Sequence, residues 1–123
     1  MDVVYFYDTY ALYQIAKGID SYAPFAKNAH VKTTMFNLYE LYFILSKEGQ
    51  NVLADQFLER LLPYCVEMQS DDIRNATTFR LTHQKKGFSY VDALGYTIAL
   101  RLGLLFLTGD DAFSTLPQVT FLK

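Results

Sequence analysis

The chain has 123 residues, 51% of them hydrophobic, which is enough for one domain with its own core and too little for two. Its formal net charge of −2 excludes the strongly basic surface typical of proteins that bind along nucleic acid, so any such contact must be local. One cysteine, Cys65, excludes an internal disulfide framework and suits a reducing compartment, and we expect a single domain over residues 1–123.

The N-terminal sequence MDVVYFYD lacks the basic segment and the long apolar run of a signal peptide. Nor does any uncharged apolar stretch of the chain reach the length of a membrane-spanning helix. We therefore expect a soluble, cytoplasmic protein without membrane attachment.

Strands and helices are predicted to alternate along the chain. Residues 3–7 are β-branched and aromatic, which is typical of a strand buried on both faces, and this strand ends at Asp8. Further strands are predicted at 64–68, 104–107 and 119–122. Helices are predicted at 10–17, over 33–49 after a brief strand or turn, at 51–62, 70–86, 90–102 and, briefly, 112–115, with loop or short helix over 20–32. This order predicts an α/β layer fold with a mostly parallel sheet.

Four acidic residues stand in unusual surroundings. Asp8 follows the first strand, Asp110 follows the strand at 104–107, and Asp92 lies near the start of a helix. Glu40 lies within a helix that is hydrophobic on every side. In an open parallel sheet, the carboxyl ends of the strands and the adjoining helix starts share one edge, where ligands bind. We therefore expect these acids to meet at that edge.

Three of the four acids also have an ordinary structural explanation. Asp8 is a favoured N-cap residue for the helix at 10–17. Ser89 and Asp92 match a capping box at the start of the helix at 90–102. Asp110, or Asp111 beside it, suits the turn before the short helix at 112–115.

Glu40 lacks such an explanation, because it is not at a helix start and has no basic residue one turn away, although a distant Arg74 or Arg101 is an available partner. A cluster of acids repels itself, and the commonest resolution is one or two divalent cations with oxygen ligands. His30 and His83 are isolated in sequence, so the acidic cluster has no pair of His or Cys ligands of the kind that binds zinc. Mg²⁺ or Mn²⁺ is the natural choice, and either ion activates water and offsets charge on a phosphodiester.

These segments resemble the PIN domain family, the metal-dependent nuclease fold that includes the VapC-type ribonuclease toxins of toxin-antitoxin pairs. YFYDTYAL resembles the family's opening strand, which ends in Asp followed by Ser or Thr, and NLYELY resembles its helix with the second acid. FSYVDALGYTIAL resembles the helix that begins with Asp-Ala-Leu, and LLFLTGDDAF resembles the strand ending in T-x-D-x-x-F. The resemblance covers nearly the whole chain.

The resemblance implies a three-layer fold with a parallel sheet of about five strands, and a metal-dependent endoribonuclease that hydrolyses RNA with Mg²⁺ or Mn²⁺. It implies that four acids form the catalytic and metal-binding site: Asp8, Glu40, Asp92 and Asp110. Thr9, Thr108 and Asp111 would support them, and either Asp110 or Asp111 would be the fourth ligand. It also implies a small antitoxin protein as partner.

The acids do not hold an RNA backbone, which needs positive charge. The only local concentration of basic residues includes Arg80, Lys85 and Lys86, so RNA binding is predicted there. The chain also has 10 Tyr and 10 Phe residues, most of them expected in the core. Some lie on helices that are apolar nearly all round and predict a homodimer or a bound antitoxin: Tyr10, Tyr13, Tyr39 and Tyr42.

Three other interpretations stay open. A PIN-type nuclease for RNA processing would act without an antitoxin. A receiver-like module phosphorylated at Asp8 would have a pair of acids after the first strand and a lysine after the fifth, unlike this chain. A degenerate nuclease fold kept for protein interaction would not be expected to retain all four acids.

Overall fold

The computed structural model describes residues 3–27 and 30–123. The strands and helices follow in the order β1 (Tyr5–Tyr7), α1 (Thr9–Ala16), α2 (Ala23–Ala26), β2 (Val31–Lys32), α3 (Met35–Lys47), α4 (Asn51–Leu61), α5 (Ser70–Thr82), α6 (Tyr90–Leu102), β3 (Leu105–Thr108) and β4 (Val119–Phe121), with four consecutive helices between β2 and β3. Short 3₁₀ turns lie at Asp20–Tyr22, Leu62–Tyr64, Gln84–Lys86 and Asp111–Phe113. Within the described ranges, no helix combines the length and the apolar character needed to cross a membrane.

The four strands form one parallel sheet in the order β2-β1-β3-β4. Tyr5 of β1 pairs with Val31 of β2 and with Leu105 of β3, and Leu107 of β3 pairs with Thr120 of β4. Because all four strands run in the same direction, their carboxyl ends lie on one edge of the sheet. The predicted α/β class with a mostly parallel sheet is confirmed.

Helices cover both faces of the sheet, because neighbouring residues of a strand point to opposite sides. Tyr7 and Leu107 pack with side chains of α1, α3 and α4 in one buried cluster. Phe6 and Phe106 pack with side chains of α6 in a second cluster. Gly95 permits the close approach of α6, since a Cβ at this position would lie 3.0 Å from the Phe6 ring. The result is the expected three layers of helix, sheet and helix.

The segment 64–68 does not form the predicted strand. Tyr64 lies in a 3₁₀ turn that includes Pro63, and Cys65 forms an isolated parallel bridge with Thr33. The Thr33 amide donates to the Tyr64 carbonyl at 3.2 Å, and the Val66 amide donates to the Thr33 carbonyl at 2.9 Å. Since proline fixes its own φ and has no N–H to donate, the chain reaches the sheet edge only after the turn. The described sheet therefore has four strands rather than about five, and its edge strand β2 lies where a loop or short helix was predicted.

Helix α5 is shorter than predicted and ends at Thr82. The residues that follow form a separate 3₁₀ turn, Gln84–Lys86, and Gly87 then takes a left-handed φ of 69°. The helix begins at Ser70, as predicted, and Gln69 is its N-cap residue: the Asp72 carboxylate accepts the Gln69 N–H at 2.9 Å. The other predicted helices and strands form close to their predicted positions.

Candidate functional site

One pocket at the carboxyl edge of the sheet contains all four acids that the sequence singles out. Asp8 follows β1, Asp110 follows β3, Asp92 lies in the first turn of α6, and Glu40 lies in the middle of α3. The pocket has a volume of about 340 Å³ and is lined by Asp8, Thr9, Tyr10, Tyr13, Glu40, Ile44, Asp92 and Asp110. The parallel sheet thus gathers acids that are far apart in sequence, as expected.

Asp8 is the most buried of the four, with only 4% of its surface exposed. Its Oδ1 atom accepts the Ala11 N–H at 2.9 Å, which caps α1, and the Thr108 hydroxyl also hydrogen-bonds the carboxyl group. Burial raises the pKa of Asp8 to about 7; the negative charges of Asp92 and Asp110 add to the rise, and the hydrogen bonds from Thr108 and Ala11 oppose it. A cap alone does not require this burial, because helix caps work at exposed positions.

Asp92 has the capping-box geometry that its sequence predicts. The Ser89 Oγ atom accepts the Asp92 N–H at 3.0 Å, and Asp92 Oδ2 accepts the Ser89 N–H at 2.9 Å. Burial raises the pKa of Asp92, although the Ser89 hydrogen bonds lower it, and the charge of Asp110 raises it further. The structural explanation for Asp92 is therefore correct and leaves its carboxylate on the pocket wall.

Asp110 and Asp111 are adjacent in sequence and occupy different environments. Asp110 lines the pocket, and its Oδ1 atom accepts the Ala112 N–H at 3.0 Å. Asp111 faces away, with a side chain that is 75% exposed, and it pairs with Lys123 at 2.8 Å. The structure thus brings Asp110, and not Asp111, next to the other three acids.

Glu40 enters the pocket from α3 without a neutralising partner. It is half-buried, and its carboxylate has no hydrogen bond or ion pair with the residues that the structure describes. The two arginines considered as distant partners are engaged elsewhere: Arg74 pairs with Asp71, and Arg101 pairs with Asp72. Its orientation toward the pocket therefore places an uncompensated negative charge there.

The two predicted supporting threonines belong to a buried hydrogen-bond network beneath the acids. Thr108 is fully buried, bonds Asp8, and accepts the Asp110 N–H at 3.1 Å. Thr9 accepts a hydrogen bond from the Asn37 side chain at 3.1 Å, and Asn37 lies on α3 one turn before Glu40. Asn37 is not among the site residues predicted from the sequence. The signal that could have found it is the one that drew attention to Glu40, a polar residue within an apolar helix.

The predicted basic segment does not line the acidic pocket. The Arg80 Nε atom donates to the Phe88 carbonyl at 2.9 Å, and its guanidinium lies 4.0 Å from the centre of the Tyr90 ring. Lys86 donates to the Ala112 carbonyl at 3.0 Å, and Lys85 is exposed. Two of the three predicted RNA-binding residues therefore already have internal contacts.

The donor chemistry of the pocket fits a hard divalent cation, because its charged lining residues are all carboxylates and its remaining polar groups are hydroxyls. Burial and the neighbouring acids raise the pKa of Asp8, and a bound cation would oppose that rise by favouring the charged form. In the described part of the chain, however, no three His, Cys, Asp or Glu side chains lie close enough together to hold an ion. The carboxylates would have to move closer to share one.

Comparison with known proteins gives both a family and a fold. The profile of the PIN domain family matches residues 5–118. No curated protein sequence matches the chain. A toxin-antitoxin complex from Klebsiella pneumoniae shares 18% identity at a TM-score of 0.72, over 94% of this chain and 95% of that one.

Two further structures have the same fold at similarly low identity. VapC20 from Mycobacterium tuberculosis, described as a sarcin-ricin loop cleaving toxin, shares 20% identity at a TM-score of 0.76, over 91% of this chain and 94% of that one. VapBC2 from Rickettsia felis, bound to a promoter DNA fragment, shares 20% identity at a TM-score of 0.74, over 98% of this chain and 100% of that one. With a family profile that spans most of its length and a fold shared with these structures, the chain belongs to the PIN domain family.

Proposed function

We propose that this protein is a metal-dependent endoribonuclease and the toxin of a toxin-antitoxin pair. One observation carries the proposal: four carboxylates line a single pocket at the carboxyl edge of the sheet, and no basic residue lines it with them. Membership of the PIN family and the fold shared with VapC20, a toxin that cleaves RNA, support the same chemistry. The same family assignment favours a nuclease over a receiver-like module.

Asp8, Glu40, Asp92 and Asp110 would hold Mg²⁺ or Mn²⁺. When bound, such an ion supplies a Lewis acid that lowers the pKa of water and offsets charge on a phosphodiester as its bond breaks. The carboxylates must be ionised to act as ligands, and the Thr108 hydrogen bond favours the ionised form of Asp8. The Asn37–Thr9 hydrogen bond fixes the pocket wall beside Asp8.

The partner assignment rests on exposed apolar side chains beside the pocket. Four large side chains of α3, the helix that carries Glu40, are exposed: Met35, Phe36, Tyr39 and Phe43. An apolar stripe of this size is typical of a protein-binding surface, and we assign it to an antitoxin, in keeping with the toxin-antitoxin complex among the similar structures. Of the four tyrosines predicted to cover a partner, Tyr39 is exposed, whereas Tyr10, Tyr13 and Tyr42 are half-buried.

A homodimer is the second part of the partner proposal. An apolar groove of about 330 Å³ lies between α5 and α6, and three exposed side chains contribute to it: Ile73, Leu81 and Tyr90. Burial of such a groove against a second copy would remove apolar surface from water.

We propose that the chain acts in the cytoplasm as a single domain over residues 1–123.

The test compares RNA cleavage by the wild type and Asp8→Asn, each with Mg²⁺, with Mn²⁺ and with EDTA. Asparagine caps a helix about as well as aspartate, so the fold should survive while activity falls by at least a hundredfold. Asp71→Asn is the matched control. Asp71 is an exposed aspartate in the first turn of α5 and is not one of the residues that line the acidic pocket. Equal cleavage by wild type and Asp8→Asn, or cleavage in EDTA, would overturn the proposal.

A further inference from the structure

The acidic pocket leaves open how an RNA strand approaches it. Its lining contains four carboxylates and no lysine, arginine or histidine. Each phosphate of an RNA strand carries a negative charge, so such a pocket repels the backbone on both sides of the bond to be cut. A cation near the rim would offset that repulsion.

Lys123 follows β4, so it lies at the same carboxyl edge of the sheet as the pocket, although it is not one of the lining residues. Its Nζ atom lies 2.8 Å from Asp111 Oδ2, and the ammonium side chain remains 60% exposed. The Asp111 hydrogen bond and charge raise the pKa of Lys123, and Tyr10 and Asp110, which both line the pocket, add to the rise. The ammonium group of Lys123 is therefore accessible from solvent while it pairs with Asp111.

The fold fixes the segment that carries Lys123. The Leu122 N–H donates to the Thr108 carbonyl at 2.8 Å, next to the strand end that supplies Asp110. The Tyr22 hydroxyl donates to the Leu122 carbonyl, and the Ser21 hydroxyl donates to the Lys123 carbonyl at 3.4 Å. These three hydrogen bonds fix the backbone that carries Lys123 at the carboxyl edge of the sheet.

We propose that Lys123 binds an RNA phosphate near the acidic pocket, exchanging its pair with Asp111 for the phosphate. The inference rests on the proposed ribonuclease function. The Lys123–Asp111 pair is exposed on both sides, and exposed pairs contribute little to stability, so a phosphate can share the ammonium group with Asp111. The two adjacent acids then have different roles. Asp110 belongs to the acidic site, whereas Asp111 competes with RNA for the lysine.

The experiment measures the binding of a fluorescent single-stranded RNA in EDTA, where no cleavage is expected, over a range of salt concentrations. Loss of one phosphate contact makes the slope of log K against log[salt] shallower by about 0.7 for a single strand. We expect this change and a several-fold loss of affinity for Lys123→Gln, with recovery in Lys123→Arg. Asp111→Asn should bind RNA more tightly than the wild type, because it removes a competing negative charge.

Arg74→Gln is the matched control, because it breaks an exposed pair of the same kind, Arg74–Asp71 at 2.7 Å, and neither residue is among those that line the acidic pocket. If the Lys123–Asp111 pair only stabilised the turn, Lys123→Gln and Asp111→Asn would weaken binding alike, and that result would overturn the inference. An unchanged salt slope for RNA binding in Lys123→Gln would also overturn the inference. Wild-type cleavage with metal is scored separately, so failure of the ribonuclease proposal is distinguished from failure of the role of Lys123.

Discussion

Asp8 caps α1, and the proposed ligand role would make a different demand on the same side chain. As the N-cap of α1 it needs only an oxygen that accepts the Ala11 N–H, and asparagine offers one. As a ligand it would need a negative charge, which burial opposes strongly enough to raise its pKa to about 7. The charge is thus unfavourable for the metal-free fold, and the proposed ligand role would account for an ionisable residue at this position.

The pH dependence of stability follows from the raised pKa of Asp8. Between pH 3.8 and about 7 the folded metal-free protein keeps a proton on Asp8 that the unfolded chain has lost, so the free energy of unfolding falls as the pH rises through this window and levels off above it. Asp8→Asn lacks this ionisation. We expect it to be more stable than the wild type at pH 8, by at most about 4 kcal/mol at ~1.4 kcal/mol per pH unit.

Urea denaturation of both proteins in EDTA at pH 5 and pH 8 measures this difference. The gain in Asp8→Asn should be small at pH 5 and largest at pH 8. Asp71→Asn, at an exposed position, should show no such trend. A gain that is equal at the two pH values would contradict a raised pKa for Asp8.

At the scale of elements, the end of β3 brings three segments into contact. Gly109 follows β3, and a Cβ at this position would collide with the Tyr10 ring of α1 and with the Leu122 carbonyl that follows β4. Glycine is therefore required here by the close approach of neighbouring segments. The same contact holds Tyr10 on the pocket wall and Leu122 beside Thr108.

Gly109→Ala tests this packing. A glycine-to-alanine change at an unstrained site stabilises a protein by about 0.4–1 kcal/mol. Here the Leu122 backbone or the Tyr10 ring must move, so we expect a loss of roughly 1–3 kcal/mol in the free energy of unfolding, the range typical of overpacking. Urea denaturation measures the loss, and unchanged or increased stability would show that the three segments are not in close contact.

The elements that sequence predicts well carry strong local signals. β1 is a short buried apolar run, and α6 has its Ser89–Asp92 capping box, so both form where expected. The prediction at 64–68 failed because an apolar run does not reveal that the Leu62–Tyr64 turn leaves only Cys65 to pair with the sheet. β2 spans two residues, too few for a periodic pattern to appear.

The site was predictable in part for the same physical reason. Acids at strand ends and helix starts converge in any parallel sheet, which places Asp8, Asp92 and Asp110 together. Sequence does not distinguish Asp110 from Asp111, because the choice depends on the direction in which the turn points each side chain. Nor does it place Lys123 at this edge of the sheet, because that position depends on the pairing of β3 with β4.

At the scale of the whole molecule, the acidic pocket would couple stability to the binding of a cation. The acids are carried by β1, β3, α3 and α6, which lie in all three layers, so the pocket exists only when the domain is folded. A cation that binds this pocket and not the unfolded chain must stabilise the whole domain by mass action. The same cation would neutralise charge whose burial weakens the metal-free fold.

Mg²⁺ or Mn²⁺ should therefore raise the melting temperature of the wild type, and the effect should depend on pH. At a concentration one hundred times the Kd, a bound ion adds about 2.7 kcal/mol to the free energy of unfolding. Because the ion must displace the proton of Asp8, its apparent affinity should rise as the pH rises toward about 7 and change little above that value. Asp8→Asn should gain much less from either ion, whereas Asp71→Asn should gain as much as the wild type. Thermal melts at pH 6 and pH 8 measure both effects without reference to catalysis, and equal stabilisation of wild type and Asp8→Asn would place the cation elsewhere on the molecule.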